Sequence, residues 1–81
     1  MSIGHLLKTP VEIYRDGEKL LKTEANIQKG RIYLKDVDVR RLDIIRVIPT
    51  SEEFEVIDHP YKQLHQGTNK VLYIEAKVRR S

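Results

Sequence analysis

The sequence predicts an all-β fold, a small antiparallel barrel or a two-layer sandwich of about six strands, and three observations predict it. Ile, Val, Tyr, Thr and Phe supply 25 of the 81 residues, against two Ala, a balance that favours strands. Apolar residues recur at every second position through most of the chain, which places them on one face of an extended backbone. Short segments containing Gly, Pro or Asp punctuate these runs where turns are needed.

Residues 8–15 place Val11 and Ile13 on one face and Glu12 and Tyr14 on the other, and Asp16-Gly17 follows as a two-residue connection. Glycine accepts positive φ without a Cβ clash, so the pair suits a type I′ hairpin turn. Residues 18–28 set Leu21, Thr23, Ala25 and Ile27 against Lys22, Glu24, Asn26 and Gln28, the clearest half-buried strand in the sequence. Lys29-Gly30 turns the chain again, and Ile32 and Leu34 alternate with Arg31, Tyr33 and Lys35, completing a meander. Residues 36–42 carry Asp36, Asp38, Arg40 and Arg41 and read as a loop. Residues 43–48 are apolar on both sides, and Pro49 ends that strand because it has no N–H for the ladder. Thr50-Ser51 leads into residues 52–57, where Phe54 and Val56 share a face, giving a second hairpin. Residues 58–70 lose the rhythm and read as a long contact loop. The last run, 71–79, puts Leu72, Ile74, Ala76 and Val78 inward and has the task of closing the sheet. Residues 1–7 read as a short turn, a strand extension or a flexible arm.

The chain is expected to be one domain. It has no cysteine, which excludes a disulfide framework, a Cys-based zinc site and a thiol nucleophile. No apolar run is long enough to span a membrane or form a signal-peptide core. The net charge of +3 is spread over both halves, so no polyanion-binding tail stands out.

Few residues suggest chemistry. His59 and His65 flank a stretch beside Asp58, but their spacing fits neither a helix nor a strand, and a solvated loop is the simpler reading. Asp36, Asp38 and Asp43 lack the glycine of a cation-binding loop and have Arg40 and Arg41 among them, so local ion pairing is expected. No nucleophile elbow, phosphate-cradling glycine loop or zinc-protease motif is present, and the expectation is a protein without catalytic activity or cofactor. The outward face carries Tyr14, Tyr33 and Tyr73 among Arg15, Arg31, Lys35, Lys77 and Arg79. Rings stack on bases and cations track phosphates, so this face is a candidate for single-stranded nucleic acid. Tyr is also a good strand former, and Glu12, Glu18, Glu24 and Glu75 share the face, which suits a protein partner better. His59, Tyr61 and His65 are the candidate contacts of the long loop.

The order of motifs adds a resemblance. Val11-Glu12-Ile13-Tyr14-Arg15, Ala25-Asn26-Ile27-Gln28, Leu42-Asp43-Ile44-Ile45, Glu53-Phe54-Glu55-Val56-Ile57-Asp58 and Tyr73-Ile74-Glu75-Ala76-Lys77-Val78-Arg79 follow one another in the chain. The series resembles small tailed-phage and prophage proteins, including head-tail joining (head-closure or neck) proteins. It departs from them where Leu42 stands in place of the glycine expected before Asp43, and where the connection after Tyr14 is short. The resemblance implies a β-barrel subunit that assembles into a ring through exposed edges and loops, as a homo-oligomer or within a virion, located in the virion or the bacterial host cytoplasm. A nucleic-acid-binding barrel, or a small phage regulator binding a host protein, is the alternative.

Overall fold

The fold follows from a computed structural model that describes residues 7–64 and 71–80, with the backbone alone for 63, 64, 71 and 72. Among the described residues, seven strands run in the order β1 (Thr9–Arg15), β2 (Glu18–Gln28), β3 (Arg31–Leu34), β4 (Ile44–Val47), β5 (Glu52–Val56), β6 (Tyr61–Leu64) and β7 (Val71–Arg80). All pairings are antiparallel. The sheet order is β3-β2-β1-β4-β5-β7-β6, and β3 also pairs with β7. That last pairing rolls six strands into a closed barrel, β1-β2-β3-β7-β5-β4, and leaves β6 as an extra strand on β7. Of the two architectures the sequence allows, closure selects the barrel, because each barrel strand then has two neighbours.

The turns do what their residues permit. Asp16 and Gly17 both have positive φ, 52° and 80°, as a type I′ connection requires, and Gly30 has φ 75° in the next turn. Alternation then fills the interior: Val11, Ile13, Ala25, Ile32, Leu34, Ile45, Val47, Val56, Ile74, Ala76 and Val78 are all buried. Val39 joins this cluster from the β3–β4 loop, and Val37 and Phe54 pack against it. The loop therefore covers one end of the barrel. Asp36 and Asp38 tie it down on either side, Asp36 to Lys62 of β6 at 4.0 Å and Asp38 to Arg15 of β1 at 3.5 Å. Leu7, expected in a flexible arm, is buried against the domain, and residues 1–6 lie outside the described residues.

One element corrects the first part of the expected loop at 58–70, of which residues 65–70 lie outside the described residues. Val56 pairs with Val78, the Ile57 amide donates to the Lys77 carbonyl at 2.9 Å, and pairing resumes with Tyr61 opposite Glu75. β5 and β6 thus form one long strand along β7, interrupted where Asp58, His59 and Pro60 bulge out. Pro60 cannot donate to a ladder, which accounts for the break. Tyr61–Leu64 lacks the alternating apolar residues that announce a strand; among the described residues it pairs with β7 alone.

Candidate functional site

The barrel divides the candidate face into two. Arg31, Tyr33 and Lys35 project from the β3 side, and Tyr73 and Lys77 from the adjoining β7. Tyr33 lies opposite Glu75, one step from Tyr73, and the two rings meet edge to face with centroids 5.5 Å apart. Tyr61 also lies opposite Glu75, from the other side of β7, and is 61% exposed. Three tyrosines therefore surround one glutamate. Around them, the outward residues of β2, β3 and β7 with the Lys29 turn carry Lys22, Lys29, Arg31, Lys35 and Lys77 against Glu24 and Glu75. The two carboxylates are engaged, Glu24 with Lys35 at 2.7 Å and Glu75 with Arg31 at 3.7 Å. No ion pair holds Lys22, Lys29 or Lys77 among the described residues.

Tyr14, Arg15 and Arg79 do not belong to this group; Arg15, expected on the outward face, instead turns to the buried carboxylate of Asp43. Tyr14 sits on β1, across the barrel from β7, where it pairs with Ile44 and donates to Glu12 Oε1 at 3.0 Å. Arg79 is tied to Glu55 through Nε at 3.0 Å and Nη2 at 2.8 Å. Strand parity alone places all three tyrosines outward, but outward on a closed barrel means several directions. Among the loop candidates, His59 is exposed and its amide donates to Asp58 Oδ1 at 2.8 Å, Tyr61 lies in β6, and His65 is outside the described residues. No group of three His, Cys, Asp or Glu is placed to hold a metal among the described residues.

The site that sequence reasoning missed lies where the β3–β4 loop enters β4. Asp43 is 2% exposed and accepts from Arg15 Nε at 2.9 Å, Arg15 Nη2 at 2.8 Å and the Arg40 amide at 2.8 Å. The planar guanidinium matches the carboxylate fork, and Asp43 raises the Arg15 pKa by this bond, keeping the cation charged. The Asp43 amide donates to the Arg40 carbonyl at 3.1 Å, closing a turn with Leu42 at φ 76°. Leu42 and Asp43 then both face Val56, since the Leu42 amide donates to the Val56 carbonyl and the Val56 amide to the Asp43 carbonyl, at 2.7 and 2.9 Å. This is the bulge whose first residue is ordinarily glycine. The turn keeps the shape a glycine would give it, at a cost of about 1–2 kcal/mol for a left-handed Leu. Leu42 is moreover 60% exposed.

Two outer carboxylates link the surface to pH. Lys19 and Tyr14 hydrogen bonds hold the Glu12 carboxyl below its usual value of 4.5, and the Lys35 hydrogen bond does the same for Glu24. A depressed folded-state pKa contributes stability above the usual value that is lost as pH falls through the folded value. Thermal melts from neutral pH down through the carboxylate range are therefore expected to fall more steeply for the wild type than for Glu12→Gln. Parallel curves for the two proteins would remove this linkage.

No protein-family model matches the chain, and neither a curated protein nor a solved structure matches it. No helix among the described residues is long and apolar enough to cross a membrane.

Proposed function

We propose that this chain is a structural subunit of a tailed phage or prophage, part of a head-tail connector, neck or tail ring, which assembles through its exposed strand edge and loops. The observation that carries the reading is the β6–β7 hairpin. It continues past the six strands of the barrel, and β6 is paired on one side only among the described residues. A row of unpaired backbone N–H and C=O groups next to an exposed Tyr61 is a template for another chain, which isolated soluble domains usually blunt or cover. The packed interior and the barrel closure suit a rigid part, and the motif series quoted above resembles head-tail joining proteins.

The competing reading is a barrel that binds single-stranded nucleic acid through Arg31, Tyr33, Lys35, Tyr73 and Lys77. These residues do share one region, yet the arrangement favours protein contact. Tyr33 and Tyr73 spend ring surface on each other, and Glu75 lies between them and Tyr61. Labelled single-stranded DNA and RNA are expected to show no salt-sensitive binding in fluorescence anisotropy at low salt. Binding that weakens steeply with salt and is lost in Tyr33→Ala would favour the nucleic-acid reading instead.

The test of the structural reading is incorporation. Tailed particles purified on a density gradient from the source strain are expected to contain the chain at fixed stoichiometry, and Tyr61→Glu to remove it while leaving thermal stability within about 0.5 kcal/mol. Intact tailed particles free of the chain would overturn the proposal.

A further inference from the structure

Among the described residues, the large apolar side chains left exposed are Leu20, Leu42, Ile57 and Tyr61, and they fall into two groups on opposite sides of the barrel. In the closed order β1-β2-β3-β7-β5-β4, the way from β2 to β5 passes two strands in either direction. Leu20 lies on β2 as the extra residue of a bulge, between Lys19 opposite Tyr14 and Leu21 opposite Ile13, a device that re-aims a side chain. The other three gather at the end of β5. The Leu42 amide donates to the Val56 carbonyl at 2.7 Å, which places Leu42 beside the peptide that joins Val56 to Ile57. The Ile57 amide donates to the Lys77 carbonyl and Tyr61 lies opposite Glu75, so Ile57 and Tyr61 flank outward positions of β7 that are two residues apart.

Charges distinguish the two groups. Beside Leu20, Asp16 and Glu18 are exposed and held by no ion pair among the described residues, Lys19 is taken by Glu12 at 2.8 Å, and Lys22 is loose. Beside the other three, Arg40 is taken by Asp38 at 3.5 Å, Arg31 by Glu75 at 3.7 Å and Lys62 by Asp36 at 4.0 Å. Arg41 and Lys77 are exposed there without an ion pair among the described residues, and so is Asp58. The β2 side is left with an acidic excess and the β5 side with a basic one.

We propose that these two surfaces bind each other between successive copies of the chain: Leu20 of one copy seats against Leu42, Ile57 and Tyr61 of the next, and Asp16 and Glu18 face Arg41 and Lys77. Two different surfaces on opposite sides of a subunit make a head-to-tail contact, which closes into a ring where the rotation per subunit permits. A connector or neck ring needs that arrangement, so the inference names the partner within the reading above and rests on that reading for its biological setting. Leu42 supplies an independent reason. A leucine in a left-handed conformation, largely exposed to water, is unfavourable to the free chain on both counts, and backbone strain of this kind concentrates at contact and switch sites. Seating Leu20 against it removes apolar surface from water in both copies.

Complementation between two half-defective variants tests the contact on the purified chain. In sedimentation velocity the wild type is expected to associate as its concentration rises, and less so as salt screens the charges. Leu20→Ser spoils one surface and Ile57→Ser the other, both at exposed positions, so each variant alone is expected to associate with a Kd about tenfold or more higher. Mixed in equal amounts, at a concentration where each alone is monomeric, they are expected to form a one-to-one dimer of wild-type affinity that grows no further, because each partner keeps one sound surface. A two-fold contact gives no such rescue. Leu42→Gly relieves the backbone strain and is expected to melt no lower than the wild type while weakening association likewise, which separates the contact from folding. A wild-type monomer at every concentration, a mixture no more associated than its components, or Leu42→Gly of wild-type affinity would each overturn the proposal. A chain that stays monomeric in solution yet is found in tailed particles removes this contact and leaves the structural reading standing; one that associates head to tail but is absent from the particles does the reverse.

Discussion

Replacing Asp43 by alanine is expected to lower stability by about 2 kcal/mol, the scale of a charge-assisted buried hydrogen-bond set, and hence the melting temperature by roughly 8–16 °C in a domain this small. The carboxylate is 2% exposed and is the common acceptor for Arg15 and the Arg40 amide, so it joins β1 to the entry of β4. Arg15→Met is expected to be the more damaging single change. It leaves a buried carboxylate without its cation, whereas the Arg15 side chain released by Asp43→Ala is 24% exposed and can turn towards Asp38 or water. The double variant Arg15→Met with Asp43→Ala is expected to regain much of the Arg15→Met loss, since no buried charge is then stranded. Chemical denaturation of the four proteins checks the cycle. Equal single effects that add in the double variant would show that the two side chains act independently.

The largest expected effect belongs to the interior. Ile13 has no solvent exposure and lies between Leu21 of β2 and Ile45 of β4 in the barrel wall. Ile13→Ala removes buried methylene groups and leaves a cavity, a loss of about 3 kcal/mol. A domain of this length has only about 4–12 kcal/mol in total, by the usual per-residue range, so the variant is expected to be partly unfolded at 37 °C. Ile44→Ala, next to Ile45 on β4 and half-buried on the outside, is expected to cost about 1 kcal/mol. Similar melts for the two variants would contradict the inward and outward assignment of β1 and β4.

Much of this architecture is legible in the sequence because strand parity is a local property. Val11 and Ile13, Ile32 and Leu34, and Ile74, Ala76 and Val78 face inward as their alternation predicts. The Asp16-Gly17 turn follows from the positive φ that Gly tolerates and Asp accepts. Long-range relations are a different matter. Nothing local tells that Arg15 reaches Asp43, 28 residues away, instead of an acidic neighbour. Nor does parity tell which side of a closed barrel an outward residue occupies, which is why Tyr14 parts from Tyr33 and Tyr73. The strand Tyr61–Leu64 escapes notice for a third reason: it lies beyond the barrel on β7, its one partner among the described residues, and takes its order from that long-range pairing. Leu42 is the instructive case, since the backbone there has the shape of a glycine turn while the side chain withholds the usual signal.

The proposal of a structural subunit makes one demand that imaging meets directly. A cryo-electron reconstruction of tailed particles from the source strain is expected to place copies of this six-stranded barrel in a ring at the junction of head and tail, or within the tail, with the β6–β7 hairpin reaching a neighbouring subunit. A ring in which every density is accounted for by other chains, with this barrel absent from the particle, would contradict it.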